Sequence, residues 1–226
     1  KGGSMHIADM DKGMLGANAI VGGSPPIAVG AALTQKLKGT DRVAVAFTGD
    51  GASNQGTTFE AMNMAVVLKA PVVFVFENNG YGEFTAAKYS IGAASLADRA
   101  AAFGMPACCV DGSDFFAVRG TMLDALEHCR SGKGPFAIES RCSRFLGHFV
   151  GDPQKYRGAE ELAAARANDP LIHFRTRVTE GGLLTQEELD VIDSDVRQII
   201  ANAAEAALAA PQPSVSELEA NVYIRY

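Results

Sequence analysis

The sequence predicts an α/β fold built on a parallel sheet, and three observations carry that prediction. Apolar runs of strand length recur at residues 43–48, 72–77, 107–110 and 135–142. Segments with helical patterning lie between them, so strands and helices alternate as in βαβ units. Two of the runs lead into polar turns, Gly49-Asp50-Gly51 and Asn78-Asn79, with 26 residues between the turns. That is the length one strand–helix–strand crossover needs, and such crossovers are almost always right-handed. Both turns therefore belong at the carboxyl ends of neighbouring parallel strands, where open α/β sheets bind ligands.

Taken in order, Ser24-Pro25-Pro26 opens the first helix, with Ser24 as the expected N-cap and Pro25 in the first turn. It runs through Ile27, Ala31, Ala32 and Leu33 to Leu37, and Gly39 stops it. Its small residues, Gly30, Ala31 and Ala32, suit close packing against a neighbour. After the strand at 43–48, a helix is expected from near Asn54 through Phe59, Met62, Val66 and Leu68. Pro71 separates it from the strand at 72–77. Two more units follow, a helix at 95–103 with a strand at 107–110, and a helix at 114–130 with a strand at 135–142. Beyond Arg144 the glycines and proline of 147–153 mark a loop. From 159 onward the pattern is helical and polar, at 159–167, near 170–178 and at 185–209, where Thr185 and Glu188 form a capping box. There is no internal repeat and no low-complexity linker. The expected organisation is an α/β domain over 1–157 with 158–226 as a helical extension of that same domain.

With 226 residues, 47% of them hydrophobic, the chain can bury a substantial core. A net charge of −6 without a basic run argues against nucleic acid or an anionic membrane as partner. No apolar stretch approaches the roughly 20 residues that span a bilayer, and no signal-peptide pattern opens the sequence. Cys108, Cys109, Cys129 and Cys142 form no CxxC pair and no metal-finger spacing, so buried, reduced thiols in a cytoplasmic protein are expected.

An Asp carboxylate and an Asn carboxamide are hard oxygen ligands, suited to a magnesium ion that also holds phosphate oxygens. Asp-Gly alone is an ordinary turn dipeptide. Paired with Asn-Asn at this spacing, after two buried strands, it resembles the thiamine diphosphate motif. The likeness covers essentially the whole chain, in blocks at 1–6 (KGGSMH), 20–23, 49–65, 77–82 (ENNGYG), 110–112, 130–135 and 147–157 (GHFVGDPQKYR). In these blocks the sequence resembles the alpha subunit of the thiamine-dependent first component of the acetoin and 2-oxo acid dehydrogenase complexes. The resemblance implies a parallel-sheet thiamine diphosphate-binding fold with helices on both faces, and gives the cofactor to the 1–157 domain.

It also implies roles. Asp50, Asn79 and the carbonyl of Tyr81 would coordinate magnesium. The amides of Gly51 and Ala52, at a helix amino terminus, would meet the diphosphate. Ala19 and Val21 would line the aminopyrimidine site, or else simply pack a loop on the core. His148 matches the family's active-site loop histidine, a group able to donate to a substrate carbonyl or alkoxide, and would also lie against the cofactor. His6 is a second catalytic candidate, although its glycines can equally serve only a turn. Arg141, Arg144, Tyr156 and Arg157 flank the His148 loop and either anchor or solvate it. His128 and His173 read as structural or surface residues, and Glu77 as a structural strand end.

In the family a segment that grips the diphosphate precedes KGGSMH; it is absent from this sequence, which is expected to be a piece of something longer. Regulated animal members carry serines around the loop histidine, where Phe149 and Gly151 stand here, so no kinase switch is expected at those positions. A beta subunit would supply the activating glutamate, and a lipoyl acyltransferase core would receive the product of a small-molecule substrate. The 147–157 loop and the ending near Asn221 point to acetoin cleavage. Pyruvate or a branched-chain 2-oxo acid is the alternative substrate, and a catalytically silent interaction domain is the alternative of another class.

Overall fold

The structure, a computed structural model, describes residues 6–218 and 220. The described residues form two compact units, the larger ending at Phe174 and the smaller starting at Arg175.

In the larger unit, β1 (Ala44–Gly49), β2 (Val72–Asn78), β5 (Ala107–Asp111) and β6 (Phe136–Arg141) make a fully parallel sheet in the order β1-β2-β6-β5. A two-residue-per-strand hairpin, β3 (Tyr81–Gly82) with β4 (Thr85–Ala86), lies apart from it. β2 alternates sides as a doubly covered strand must. Val72, Phe74 and Phe76 join Val29, Ala32, Met62 and Leu96 in one core, so α1 (Ser24–Leu37), α2 (Gly56–Val67) and α3 (Leu96–Ala101) cover that face. Val73 and Val75 join Val110, Ala125, Cys129 and Ile138 in a second core under α4 (Phe115–Arg130). Helices on both faces of a parallel sheet are thus observed.

The sequence places the four strands of the parallel sheet to within a residue or two but not the hairpin β3–β4, and the other differences lie at element ends. Ser24 is the first residue of α1 rather than its N-cap; Gly23 takes that position and the Ser24 hydroxyl instead donates to the Phe47 carbonyl at 3.1 Å. The helix expected near Asn54 begins at Gly56, because Gln55 is extended and residues Ala52–Asn54 form a separate 3-10 turn. Asp114 and Ser95 cap α4 and α3 with their side chains.

α5 (Ala159–Ala167) closes the larger unit's helical part before α6 (Pro170–Glu180). In the smaller unit, α7 (Gln186–Ala209) starts with the full Thr185–Glu188 capping box, and Arg175 pairs with Asp190 at 2.9 Å. Among the described residues no helix is long and apolar enough to cross a membrane. All four cysteines are free. Burial pushes the Cys129 thiol up to about 11. Cys109, expected to be buried, is exposed, because β5 is an edge strand with one side uncovered.

Candidate functional site

The register pairs Gly49 of β1 with Glu77 of β2, so the two polar turns leave the sheet side by side. Asp50 is only 2% exposed. Its Oδ1 accepts from the Gly51 amide at 2.7 Å, while Oδ2 is buried with no hydrogen-bond partner. Burial raises the Asp50 carboxyl above its ordinary value, against the opposing pull of the Gly51, Gly80 and Tyr81 amides and of Arg144. The Gly80 and Tyr81 amides belong to the second turn, so the structure brings the Asp50 and Asn79–Tyr81 turns together at one carboxylate.

The second turn is built by its own asparagines. Asn78 Oδ1 accepts from the Gly80 amide at 3.2 Å and Asn79 Oδ1 from the Tyr81 amide at 3.1 Å, two successive Asx turns. Gly80 has φ +82°, the left-handed conformation that glycine adopts without strain. The Asn79 oxygen keeps a second lone pair for a cation. Hairpin β3–β4 then folds back on the first turn. A Cβ added to Gly51 would fall 2.8 Å from the Gly82 Cα, so only a glycine pair permits this approach.

Gly51 and Ala52 open the 3-10 turn Ala52–Asn54 and not α2 itself. This corrects the expected helix amino terminus: the Ser53 hydroxyl donates to the Asp50 carbonyl at 2.6 Å, closing one tight turn first. One turn carries far less dipole than a full helix. Arg99 of α3 secures it from the side, with Nη1 donating to the Ser53 carbonyl at 3.1 Å and to Asn54 Oδ1 at 2.9 Å.

A buried carboxylate with an orphaned oxygen is the arrangement a divalent cation completes, since burying a charge without a partner is costly. The donor set present is one carboxylate, one carboxamide and a backbone carbonyl, which suits magnesium better than zinc. Among the described residues there is no cluster of three or more His, Cys, Asp or Glu side chains that could hold a metal. The residues therefore fit a hard cation shared with an anionic ligand.

His148 lies exposed in the loop, and its backbone amide donates to Asp152 Oδ2 at 2.8 Å. Asp152 also accepts from the Tyr156 hydroxyl at 2.6 Å and the Gln154 amide at 2.8 Å. Burial works to raise the Asp152 carboxyl, but these donors and Arg144 outweigh it and hold the group below its ordinary value. Arg144 donates to Tyr156 Oη at 2.6 Å and to the Glu83 carbonyl at 3.0 Å. Arg157 pairs with Glu161, which accepts from the Tyr81 hydroxyl at 2.8 Å. The Tyr81 and Tyr156 rings sit 5.5 Å apart, and Phe84 meets Tyr156 at 5.3 Å and Phe149 at 6.3 Å. Of the two readings for the flanking arginines, anchoring is observed for Arg144 and Arg157, onto the same hairpin that bears Tyr81.

His6, Ala19 and Val21 are all exposed, on a stretch pinned where the Thr57 hydroxyl donates to the Gly22 carbonyl at 2.8 Å. KGGSMH falls outside the described residues except for His6. His128 is half-buried against the Phe136 ring at 5.6 Å, and His173 is exposed.

Sequence reasoning missed Glu139, which is 1% exposed on β6. It accepts from Asn78 Nδ2 at 2.8 Å, from the Leu96 amide at 2.7 Å and from the Ala97 amide at 3.1 Å. The available signal was a lone carboxylate inside the apolar run Phe136-Ala137-Ile138, because such a group is buried only when it is paired. Gly82 was also missed as a partner of Gly51.

Comparison with known proteins gives a consistent result. The family described as dehydrogenase E1 component matches residues 1–216. The alpha subunit of acetoin:2,6-dichlorophenolindophenol oxidoreductase from Cupriavidus necator is 50% identical over 227 residues, covering 100% of this chain and 68% of that protein. Its namesake from Bacillus subtilis is 46% identical over 231 residues, with the same coverage of 100% and 68%. The pyruvate dehydrogenase E1 component subunit alpha of Rhizobium meliloti is 40% identical over 225 residues, covering 99% of this chain and 65% of that protein. The chain thus spans about two thirds of the length of these relatives.

Proposed function

The chain belongs to the dehydrogenase E1 component family, and from that premise we propose that it is the alpha subunit of a thiamine diphosphate- and magnesium-dependent enzyme that cleaves acetoin and passes the two-carbon fragment to a lipoyl group. The observation that carries the cofactor reading is the buried, unpartnered Oδ2 of Asp50 at the meeting of the two turns. Acetoin is favoured over pyruvate because the relatives named for acetoin are 50% and 46% identical, against 40% for the pyruvate relative. The 40% identity over 225 residues to the pyruvate relative supports pyruvate or a branched-chain 2-oxo acid as the second reading.

In this proposal Asp50, Asn79 and the Tyr81 carbonyl hold magnesium, and the Gly51 and Ala52 amides meet the diphosphate. Ala19 and Val21 line the aminopyrimidine. Bound cofactor would supply the nucleophilic carbon. His148, carried by the Asp152 loop, donates a proton to the substrate oxygen or stabilises charge there, and His6 is the second candidate for that role. The 1–157 segment forms the cofactor-binding domain and 158–226 extends it. A beta subunit completes the site and a lipoyl acyltransferase core receives the fragment. A cytoplasmic setting belongs to the same proposal and is supported by the four unpaired cysteines.

Thermal unfolding with thiamine diphosphate plus magnesium, against magnesium alone, tests the reading. A ligand that binds only the folded state adds about 2.7 kcal/mol at 100 times its dissociation constant. We expect a rise in Tm for the wild type and none for Asp50→Ala, whose apo form remains folded. An equal rise in Asp50→Ala would remove the metal assignment. No rise in the wild type, with or without a beta subunit, would leave the catalytically silent interaction domain.

A further inference from the structure

We infer that Glu139 is a positioning residue for the cation-binding turns, orienting Asn78 and the start of α3 so that the Asn79–Tyr81 turn and the Asp50 turn keep the geometry that binds magnesium; this rests on the thiamine reading of the Asp50 site. Glu139 lies in the middle of the sheet, paired in register with Phe76 on one side and Cys109 on the other. An apolar side chain of similar size is often neutral or better for stability than a buried charge. A carboxylate kept at 1% exposure in such a position therefore points to something other than bulk stability.

Its hydrogen bonds show what that is. An ionised carboxylate only accepts, so each donor around it is held in one orientation. Asn78 Nδ2 donates to Oε1 at 2.8 Å, which leaves Asn78 Oδ1 as the atom facing the Gly80 amide at 3.2 Å. A flipped carboxamide would set an acceptor against an acceptor at Glu139 and a donor against a donor at the Gly80 amide. The Asn78 orientation thus supports the left-handed Gly80, φ +82°, and with it the direction of Asn79 and the Tyr81 carbonyl.

A second limb reaches the other turn. Oε2 accepts from the Leu96 and Ala97 amides at 2.7 and 3.1 Å and fixes the start of α3. One turn later Arg99 donates to the Ser53 carbonyl and to Asn54 Oδ1. Ser53 in turn donates to the Asp50 carbonyl at 2.6 Å. One carboxylate therefore stands at the origin of both hydrogen-bond chains that shape the site. At 1% exposure it acts through Asn78 and α3.

The experiment exchanges donor and acceptor between Asn78 and Glu139. Thiamine diphosphate binding is measured at fixed cofactor while magnesium is titrated, and apo Tm is recorded for each protein in the assembled form. Glu139→Gln sets an amide against donors, and Asn78→Asp sets two carboxylates face to face. Each is expected to raise the magnesium midpoint by about 10-fold, the low end of the effect of losing a metal ligand's direct hydrogen-bond partner, because Asn78 stands next to the ligand Asn79. The double variant Asn78→Asp/Glu139→Gln restores the bond with its polarity reversed, and the midpoint is expected to return to within about threefold of wild type. Should Glu139→Gln fail to fold, Asn78→Asp and the double variant carry the test. Single-variant midpoints equal to wild type, or no recovery in the double variant, would overturn the positioning role while leaving the cofactor reading intact. Absence of magnesium-dependent binding in the wild type would instead sink the cofactor reading and the inference with it.

Discussion

Two buried carboxylates, Asp50 just past the carboxyl end of β1 at 2% exposure and Glu139 within β6 at 1%, are treated in opposite ways. Asp50 leaves the sheet in a turn, has one oxygen without a partner and is raised by burial. Glu139 stays within a strand, and its two oxygens accept from Asn78, Leu96, Ala97 and Cys109 and, at 3.4 Å, from Arg141 Nε. Burial works to raise Glu139 as well, but the bonds from Asn78, Ala97, Cys109 and Leu96 outweigh it and hold the group below its ordinary value. Burial alone therefore does not mark a ligand site. For Asp50 the pointer is an unmet bonding capacity on a carboxylate beside a second polar turn, since that oxygen is the part of the group the fold leaves for something else to satisfy.

The largest expected effect separates the two groups by stability. Glu139→Ala leaves two backbone amides and the Asn78 amide without acceptors and opens a cavity, at a cost of about 3 kcal/mol or more. Asp50→Ala removes a group the apo fold does not satisfy, so its apo stability should stay close to wild type or rise. Chemical denaturation of both variants checks this. If Asp50→Ala is destabilised as much as Glu139→Ala, the contrast between a satisfied and a waiting carboxylate fails.

A smaller effect tests how tightly the Asp50 turn is held. Gly51→Ala would put a methyl 2.8 Å from the Gly82 backbone, forcing hairpin and turn apart. Overpacking of this kind costs about 1–3 kcal/mol, and cofactor affinity should fall with it. Gly30→Ala in α1 is the control, since nothing lies within 4 Å of the added atom. A glycine-to-alanine change in a helix interior gains about 0.5–1 kcal/mol. Opposite signs for the two substitutions in thermal unfolding would sharpen the reading, and equal signs would show that the close approach relaxes freely.

The same contrast explains what could be read without coordinates. Strands such as Val72–Asn78 and the capped helices α4 and α7 were legible, because apolar periodicity and capping side chains act locally. Asp50 and Asn79 were legible because their turn chemistry and spacing are local too. The hairpin at Tyr81–Ala86 was not, since the residue that takes the left-handed conformation, φ 55°, is Glu83 and not a glycine or asparagine. Glu139 was hidden for a different reason. Its partners lie 61 residues away at Asn78 and 43 away at Leu96, and only the folded sheet brings them together. The bonds of Arg144 with the Glu83 carbonyl, 61 residues away, and of the Tyr81 hydroxyl with Glu161, 80 away, belong to the same class.

The smallest effect expected is one of pH, and the two carboxylates should bend the stability curve in opposite directions. Asp50 has a folded value above 3.8, so its protonated form favours folding. That contribution is complete below 3.8 and is lost as pH rises through the raised folded value. Glu139 has a folded value below 4.5, so its stabilisation is present above 4.5 and is lost as pH falls through the lowered folded value. Asp50→Asn should therefore raise the apo Tm at neutral pH and converge on wild type in acid. Glu139→Gln should lower it at neutral pH, with the gap narrowing in acid. Magnesium with thiamine diphosphate reverses the first effect, because binding favours the ionised Asp50 and strengthens as pH rises. Parallel Tm curves for Asp50→Asn and wild type across the acid range would mean that the orphaned oxygen carries no electrostatic penalty in the apo protein.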